Sequence, residues 1–159
     1  MYQFMQKTQI LLKNRVNFEI ANSKDLNLIN EIESELKLQL TSLSRLNFIL
    51  NNNFSFLWKI VYQRDLIGFI QILGDFIESE IISIGVTKKF QRQGIGKKVI
   101  KFLNNKGFNN IFLEVSEKNT KAINFYYSMG FKMIEIREKY YRIDKKKPEN
   151  AIILNLKII

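Results

Sequence analysis

A carboxylate, an amide and a phenol follow a glycine loop in this chain. The loop reads Gln91-Arg92-Gln93-Gly94-Ile95-Gly96, and behind it come Glu114, Asn119 and Tyr126. A loop of unpaired amides that opens onto a helix attracts anions, because free N–H groups and the positive end of the helix dipole point at one place. Glu114 stands eighteen residues past Gly96 and Tyr126 twelve further on. A carboxylate and a phenol are suited to accepting and donating protons. Alone, Glu114 reads as a surface strand residue and Tyr126 as core filling at helical spacing from Ile123 and Met129. Their order behind the glycine loop favours proton transfer beside a bound anion.

The elements that must position these groups are legible as periodicities. Val16–Ala21 reads as a strand, and Ser23 or Asp25 can cap a helix carrying Leu26, Ile29, Ile32 and Leu36. A second helix covers about Ser42–Asn51. Phe54–Tyr62 and Leu66–Leu73 flank the turn Gln63-Arg64-Asp65 as a hairpin, and Glu80–Thr87 is a fourth strand. Gly94–Asn105 is a helix with Ile95, Val99, Phe102 and Leu103 inward and lysines outward. Asn110–Ser116 is a strand on which Glu114 faces away from Leu113 and Val115. Asn119–Met129 is a helix ending at Gly130, a suitable left-handed residue. Phe131–Tyr140 and Ala151–Ile158 form a closing strand pair. The expected class is α/β (α+β), a mixed sheet with helices on its faces.

Composition narrows the chemistry. The 159 residues are 46% apolar and 25% charged, with one proline and no linker-like break, which suits one folded domain. Neither cysteine nor histidine is present, so disulfides, a thiol nucleophile, Cys/His zinc sites and histidine triads are excluded. Lys7 and the short Ile10-Leu11-Leu12 patch do not make a signal peptide, no run is long enough to span a membrane, and a cytoplasmic setting is expected. Net charge is +10, of which seven positive charges fall between Ile81 and Leu113 with no acid among them. This excess around the glycine loop invites a polyanion, and a merely solvated basic face is the plain alternative.

Two common glycine motifs do not fit. A nucleotide-hydrolase phosphate loop needs an upstream glycine and Ser or Thr after its lysine, whereas Lys98 follows Lys97; a dinucleotide fingerprint needs a small residue where Val99 stands. The remaining pattern, Gln-x-x-Gly-x-Gly, resembles the acyl-coenzyme-A motif of the Gcn5-related N-acetyltransferase (GNAT) superfamily. Leu113-Glu114-Val115, Asn119, Ala122-Ile123, Phe125-Tyr126 and Gly130-Phe131 are similar to its RimI branch, the ribosomal-protein-alanine N-acetyltransferases. So are Ile136-Arg137, Tyr140-Tyr141 and Glu149 through Ile153. The likeness is close over about residues 81–158, while the first 80 residues match in element order only.

The resemblance implies a GNAT fold: a mostly antiparallel sheet of about seven strands with about four helices. It divides the chain into an extension (1–15), an acetyl-coenzyme-A core (81–131) and a C-terminal strand pair (132–159). It implies acetyl-coenzyme A as cosubstrate and no metal. The pantetheine arm would lie along Ile84, Gly85 and Val86, the pyrophosphate on the amides of Arg92, Gln93, Gly94, Ile95, Gly96 and Lys97, and Asn119 near the pantetheine. Glu114 would accept the amine proton through water and Tyr126 would donate to the sulfur. Tyr140 and Tyr141 would line the groove for an acceptor, a protein N-terminal amine, with ribosomal RNA as a further contact. Departures border that groove: Leu38-Gln39-Leu40-Thr41 replaces an aromatic-Pro-Trp-Ser segment, Arg142 stands where proline is common, and Asn150 replaces an acid. A small amine or lysine side chain is the alternative acceptor. A basic nucleic-acid-binding protein is the alternative class.

Overall fold

The computed structural model describes residues 16–141 and 148–158. The N-terminal extension with its Ile10-Leu11-Leu12 patch and the basic loop holding Arg142 lie outside the described residues. Among the described residues seven strands form one sheet: β1 (Val16–Ile20), β2 (Ser55–Tyr62), β3 (Asp65–Gly74), β4 (Glu78–Val86), β5 (Asn110–Ser116), β6 (Lys132–Tyr141) and β7 (Glu149–Lys157). Among the described residues there are four α-helices, α1 (Leu26–Glu35), α2 (Leu43–Leu50), α3 (Ile95–Asn105) and α4 (Thr120–Ser128). Strand order is β1-β2-β3-β4-β5-β7-β6, and every pairing is antiparallel except β4 with β5.

Each element has a local cause. The β2–β3 turn holds Gln63 and Arg64 at φ +50° and +76°, the left-handed pair that a two-residue hairpin requires. Asn22, rather than Ser23, caps the first helical segment: its side chain accepts from Lys24 N while Asp25 reaches back to Asn22 N at 2.8 Å. A 3-10 turn over Ser23–Asp25 therefore precedes α1. Gly130 closes α4 at φ +93°, as its position required.

The sheet buries both faces. Val99, Leu103, Ile123 and Tyr126 from α3 and α4 pack on Ile70, Ile72, Ile111 and Leu113. On the other face, Ile29, Ile32, Leu46 and Ile49 from α1 and α2 cover Leu57 and Phe69. Fully burying one such side chain contributes about 1.5–3 kcal/mol, so the two layers hold the sheet from both sides.

Two irregularities shape the middle of the sheet. β4 carries a bulge at Ile82, between the pairs Gln71↔Ser83 and Ile72↔Ile81, and the extra residue changes which face later side chains take. β4 and β5 pair only over Glu78–Ile81 and Asn110–Leu113. Beyond Ile81 and Leu113 the sheet forks, while β4 continues along β3 to Val86.

Candidate active site

The fork opens a cleft of about 650 Å³ between β4, the start of α3 and one side of α4. Ile84 and Val86 line one wall, and Asn119, Ala122, Tyr126 and Met129 line the other at helical spacing. On the side that faced β5, the backbone of β4 past Ile81 has no strand partner. Such an edge can pair with an extended chain. Gly85 contributes only backbone there, because a Cβ on it would meet Phe69, Leu36 and Ile32 on the α1 face.

The glycine loop forms the mouth of the cleft. Gly94 sits at φ +79° as the N-cap of α3 and offers no capping side chain. The first intrahelical amide is Lys98 N, to Gly94 O at 3.3 Å. The amides of Ile95, Gly96 and Lys97 are therefore the orphan donors of a helix start and face a site for anions. Arg92, at φ +61°, and Lys97 line the same mouth. Gln91 and Gln93 brace the loop: Gln91 Nε2 donates to Val86 O and Gln93 Nε2 to Lys89 O, both at 2.9 Å. Gln93 thus turns its side chain back onto the loop, and Gln91 is the glutamine that lines the cleft. Gly96 has a packing reason of its own, since a Cβ there would come within 2.7 Å of Phe125 Cζ.

Asn119 combines two positions. Its Oδ1 accepts from Ala122 N at 3.2 Å, capping α4, and its side chain lines the cleft. Tyr126 is buried, and burial pushes its phenol up to about 12. It keeps its proton throughout the physiological range.

Glu114 lies just past the fork, on the face opposite Leu113 and Val115, which are buried against α3 and α4. Its Oε2 accepts from Arg137 Nη1 at 3.1 Å, and the Tyr141 hydroxyl donates to the same carboxylate. Burial, followed by that bond and the Glu114 charge, raises the Tyr141 phenol above its ordinary value. The neighbouring Tyr140 stacks edge-on against Tyr141 with ring centres 5.3 Å apart, and Arg137 lies over its ring. A bulge with Lys139 at φ +53° turns β6 so that both rings come to this end of the strand. Asn150 joins the surrounding turns: it donates twice to Glu117 and accepts from Lys139 N at 2.9 Å. An acid in its place would repel Glu117.

Sequence reasoning singled out Glu114, Asn119, Tyr126, Tyr140 and Tyr141, and the structure sets them on the two sides of one fork. It left Phe90, Lys121, Ala122, Phe125 and Met129 out of the site, all of which line the cleft, though the helical spacing of Ala122, Phe125 and Met129 with Tyr126 could have marked three of them. It also missed Glu80 and Arg137 beside Glu114. The Glu80 carboxyl is raised above the usual range by burial first and the Glu114 charge second, with Arg137 opposing.

Comparison with known proteins agrees with this geometry. Residues 23–131 match the family model described as acetyltransferase (GNAT) family. The chain is 33% identical over 144 residues to the [ribosomal protein bS18]-alanine N-acetyltransferase of Haemophilus ducreyi, covering 87% of this chain and 97% of that protein. It is 35% identical over 85 residues to the enzyme of the same name from Escherichia coli, covering 51% of this chain and 57% of the relative. The crystal structure of the Escherichia coli ribosomal-protein-S18-alanine N-acetyltransferase superposes with a TM-score of 0.78 at 25% identity, over 90% of this chain and 94% of that one. The chain belongs to the acetyltransferase (GNAT) family and is an acetyl-coenzyme-A-dependent N-acetyltransferase.

Proposed function

We propose that the chain acetylates the N-terminal α-amine of a protein, and that its acceptor is a ribosomal protein beginning with alanine. The observation that carries this reading is the fork. It joins a cleft with an open strand edge and an amide mouth to a groove face bearing Glu114 and Tyr141. The near-complete coverage of a bS18-alanine N-acetyltransferase supports the acceptor class. A ribosomal acceptor in turn supports a cytoplasmic setting, and no described helix is long and apolar enough to cross a membrane.

The residues fit acetyl-coenzyme A on structural grounds. The free backbone edge at Ile84–Val86 suits a pantetheine amide chain, and the orphan amides of Ile95–Lys97 with Arg92 suit a pyrophosphate. When bound, the cosubstrate supplies an acetyl thioester. The chain's own groups then do the rest. Ile84 and Val86 hold the arm in line with the fork, and Asn119 stands at its end. Glu114, on the groove side, receives the proton of the incoming ammonium through water. An α-ammonium has a reference pKa of about 7.7–8.0, within reach of a carboxylate and water, whereas a lysine near 10.4 asks more. Tyr126 presents a protonated phenol to the departing sulfur. The chain has no cysteine, so no acetyl-cysteine enzyme forms and transfer is direct.

The deciding experiment is a panel of free N-terminal peptides, with N-blocked lysine peptides and polyamines alongside. Alanine-terminal peptides should react fastest. Faster reaction of blocked lysine peptides or polyamines would overturn the protein-N-terminus reading while leaving the acetyltransferase intact.

A further inference from the structure

Glu33, near the end of α1, is only 1% exposed, and among the described residues no cation pairs with it. A carboxylate so placed is costly unless its oxygens are fully hydrogen-bonded. Its donors gather around one loop residue. Thr41 N donates to Oε2 at 2.9 Å and Thr41 Oγ1 to Oε1 at 2.8 Å. Asn30, one turn back on α1, completes the set. With its amide turned as its neighbours require, Nδ2 donates to Glu33 Oε2 and to Thr41 O, both at 2.9 Å. Two residues of α1 thus engage every polar group of Thr41. They hold the far end of the loop 37–41, in which Gln39 and Leu40 are exposed and make no backbone hydrogen bond among the described residues.

That loop starts at the fork. A Cβ on Gly85 would come within 3.1 Å of Leu36 and 3.3 Å of Ile32, so the end of α1 crosses β4 along its strand-free stretch. Glu35 ties the same turn to the residues just past β4, its Oε1 accepting from Lys88 N at 2.9 Å. α1 packs on the sheet face opposite the α3 layer, and Glu114 stands on that same face. The face continues across the strands: Glu114 pairs with Ile153, and Ile153 with Glu135 on β6. The loop therefore leaves α1 at one rim of the strip that carries Glu114, and Tyr140 and Tyr141 stand on β6 at the other.

Resting on the N-terminal acetylation proposed above, we infer that Glu33 is a positioning residue for the acceptor: through Thr41 it fixes loop 37–41 as the wall of the acceptor groove facing Tyr140 and Tyr141. Glu33 acts there only as an acceptor of hydrogen bonds, and no proton moves through it. Without those bonds the loop is ordered at its α1 end alone, and a peptide binds only the fraction of molecules whose wall is in place. The cofactor cleft, built by β4, α3 and α4 on the other side of the fork, does not depend on the loop.

The test is steady-state kinetics with alanine-terminal peptide and acetyl-coenzyme A varied in turn, for the wild type, Glu33→Met, Glu33→Gln and Thr41→Val. Glu33→Met keeps the bulk and removes both acceptors. It should raise the peptide KM at least about fivefold, while kcat and the acetyl-coenzyme A KM stay within about twofold. Glu33→Gln should behave as wild type, because its carbonyl can accept from Thr41 N and its amide can donate to a reversed Thr41 hydroxyl. Thr41→Val loses only the hydroxyl bond and should raise the peptide KM by a smaller factor, at least about threefold; it carries the test should Glu33→Met fold poorly. An unchanged peptide KM in a folded Glu33→Met or Thr41→Val overturns the inference. So does an equal rise in both KM values, or a fall in kcat alone, which is what a merely structural role produces by reducing the folded fraction. A Glu33→Gln enzyme as impaired as Glu33→Met overturns it too, since the charge and not the hydrogen-bonded loop would then matter. All of these leave acetylation by the wild type in place, whereas a wild type that acetylates no N-terminal peptide removes the acceptor reading and the positioning role with it.

Discussion

At the scale of single residues, environment separates groups of the same type. Glu114 is fixed by Arg137 at 3.1 Å and by Tyr141, while Glu80 is half-buried and raised. Tyr126 is closed into the cleft wall with its phenol up to about 12, and Tyr140 is exposed beside Arg137. Tyr126→Phe should lower kcat by about 10²-fold or more while the Kd for acetyl-coenzyme A stays within about twofold. Equilibrium binding with stopped-flow acetylation checks this, and a rate loss below tenfold would remove Tyr126 from proton donation. Glu80 also makes a stability prediction. Its folded-state pKa lies above its unfolded value, so its contribution is most favourable at low pH and is lost as pH rises through the folded pKa. Glu80→Gln should therefore melt higher than wild type at pH 8, and the gain should vanish by about pH 4, where the unfolded carboxylate itself protonates. Equal melting temperatures across that range would argue against a buried charge at this position.

At the scale of elements, two glycines of one loop do different work. Gly94 is required by its backbone: at φ +79° a side chain is strained by roughly 1–2 kcal/mol. Gly94→Val should weaken acetyl-coenzyme A binding at least about tenfold, because relaxing that φ turns the α3 amides away from the cleft mouth. Calorimetry showing wild-type affinity would misplace the pyrophosphate. Gly96 is required by packing, since a methyl group there meets Phe125 at 2.7 Å. Gly96→Ala should destabilise by about 1–3 kcal/mol through overpacking, and Phe125→Leu in the same chain should recover part of the loss. A double-mutant cycle by chemical denaturation reads the coupling, and strict additivity would exclude the contact as the cause. The β6 bulge acts on the other side of the fork. Unbroken register from the Arg137↔Ala151 pair would set Lys139 opposite Glu149; the bulge sets Tyr141 there instead, two residues nearer Glu114 along β7. Tyr141→Ala should raise the peptide KM at least about tenfold and that for acetyl-coenzyme A little; steady-state kinetics with each substrate varied in turn separates the two.

At the scale of the whole molecule, charge and sheet topology divide the labour. Most of the +10 charge lies in the window that forms the cleft mouth and the outer face of α3, where Lys101 and Lys106 stand exposed well along the helix from its amide end. We expect those outer lysines to hold ribosomal RNA, with an affinity that falls steeply with salt and persists at saturating coenzyme A. RNA binding abolished by coenzyme A would instead assign the whole cluster to the cofactor. Much of the architecture is a property of local sequence. Apolar runs mark β2 and β3, which are covered on both faces, alternation marks β5, buried at every second residue, and α3 declares itself by Ile95, Val99 and Leu103 facing inward. Gly130 announces a left-handed position and adopts it. Boundaries drift by a residue or two where caps and turns compete, as at Asn22. The fork is of another kind. Nothing within β4 or β5 states that their pairing ends at Ile81 and Leu113, or that β7 inserts between β5 and β6. Periodicity reports the exposure of each residue in its own segment, whereas strand order and register depend on which distant faces bury each other. The sequence by itself therefore determined the elements, the glycine loop at the start of α3 and the residue types that the proposed chemistry uses. Only the tertiary structure decided that Glu80, Glu114, Arg137 and Tyr141, drawn from three strands, meet on one face of a parted sheet, because the burial that aligns those strands is collective.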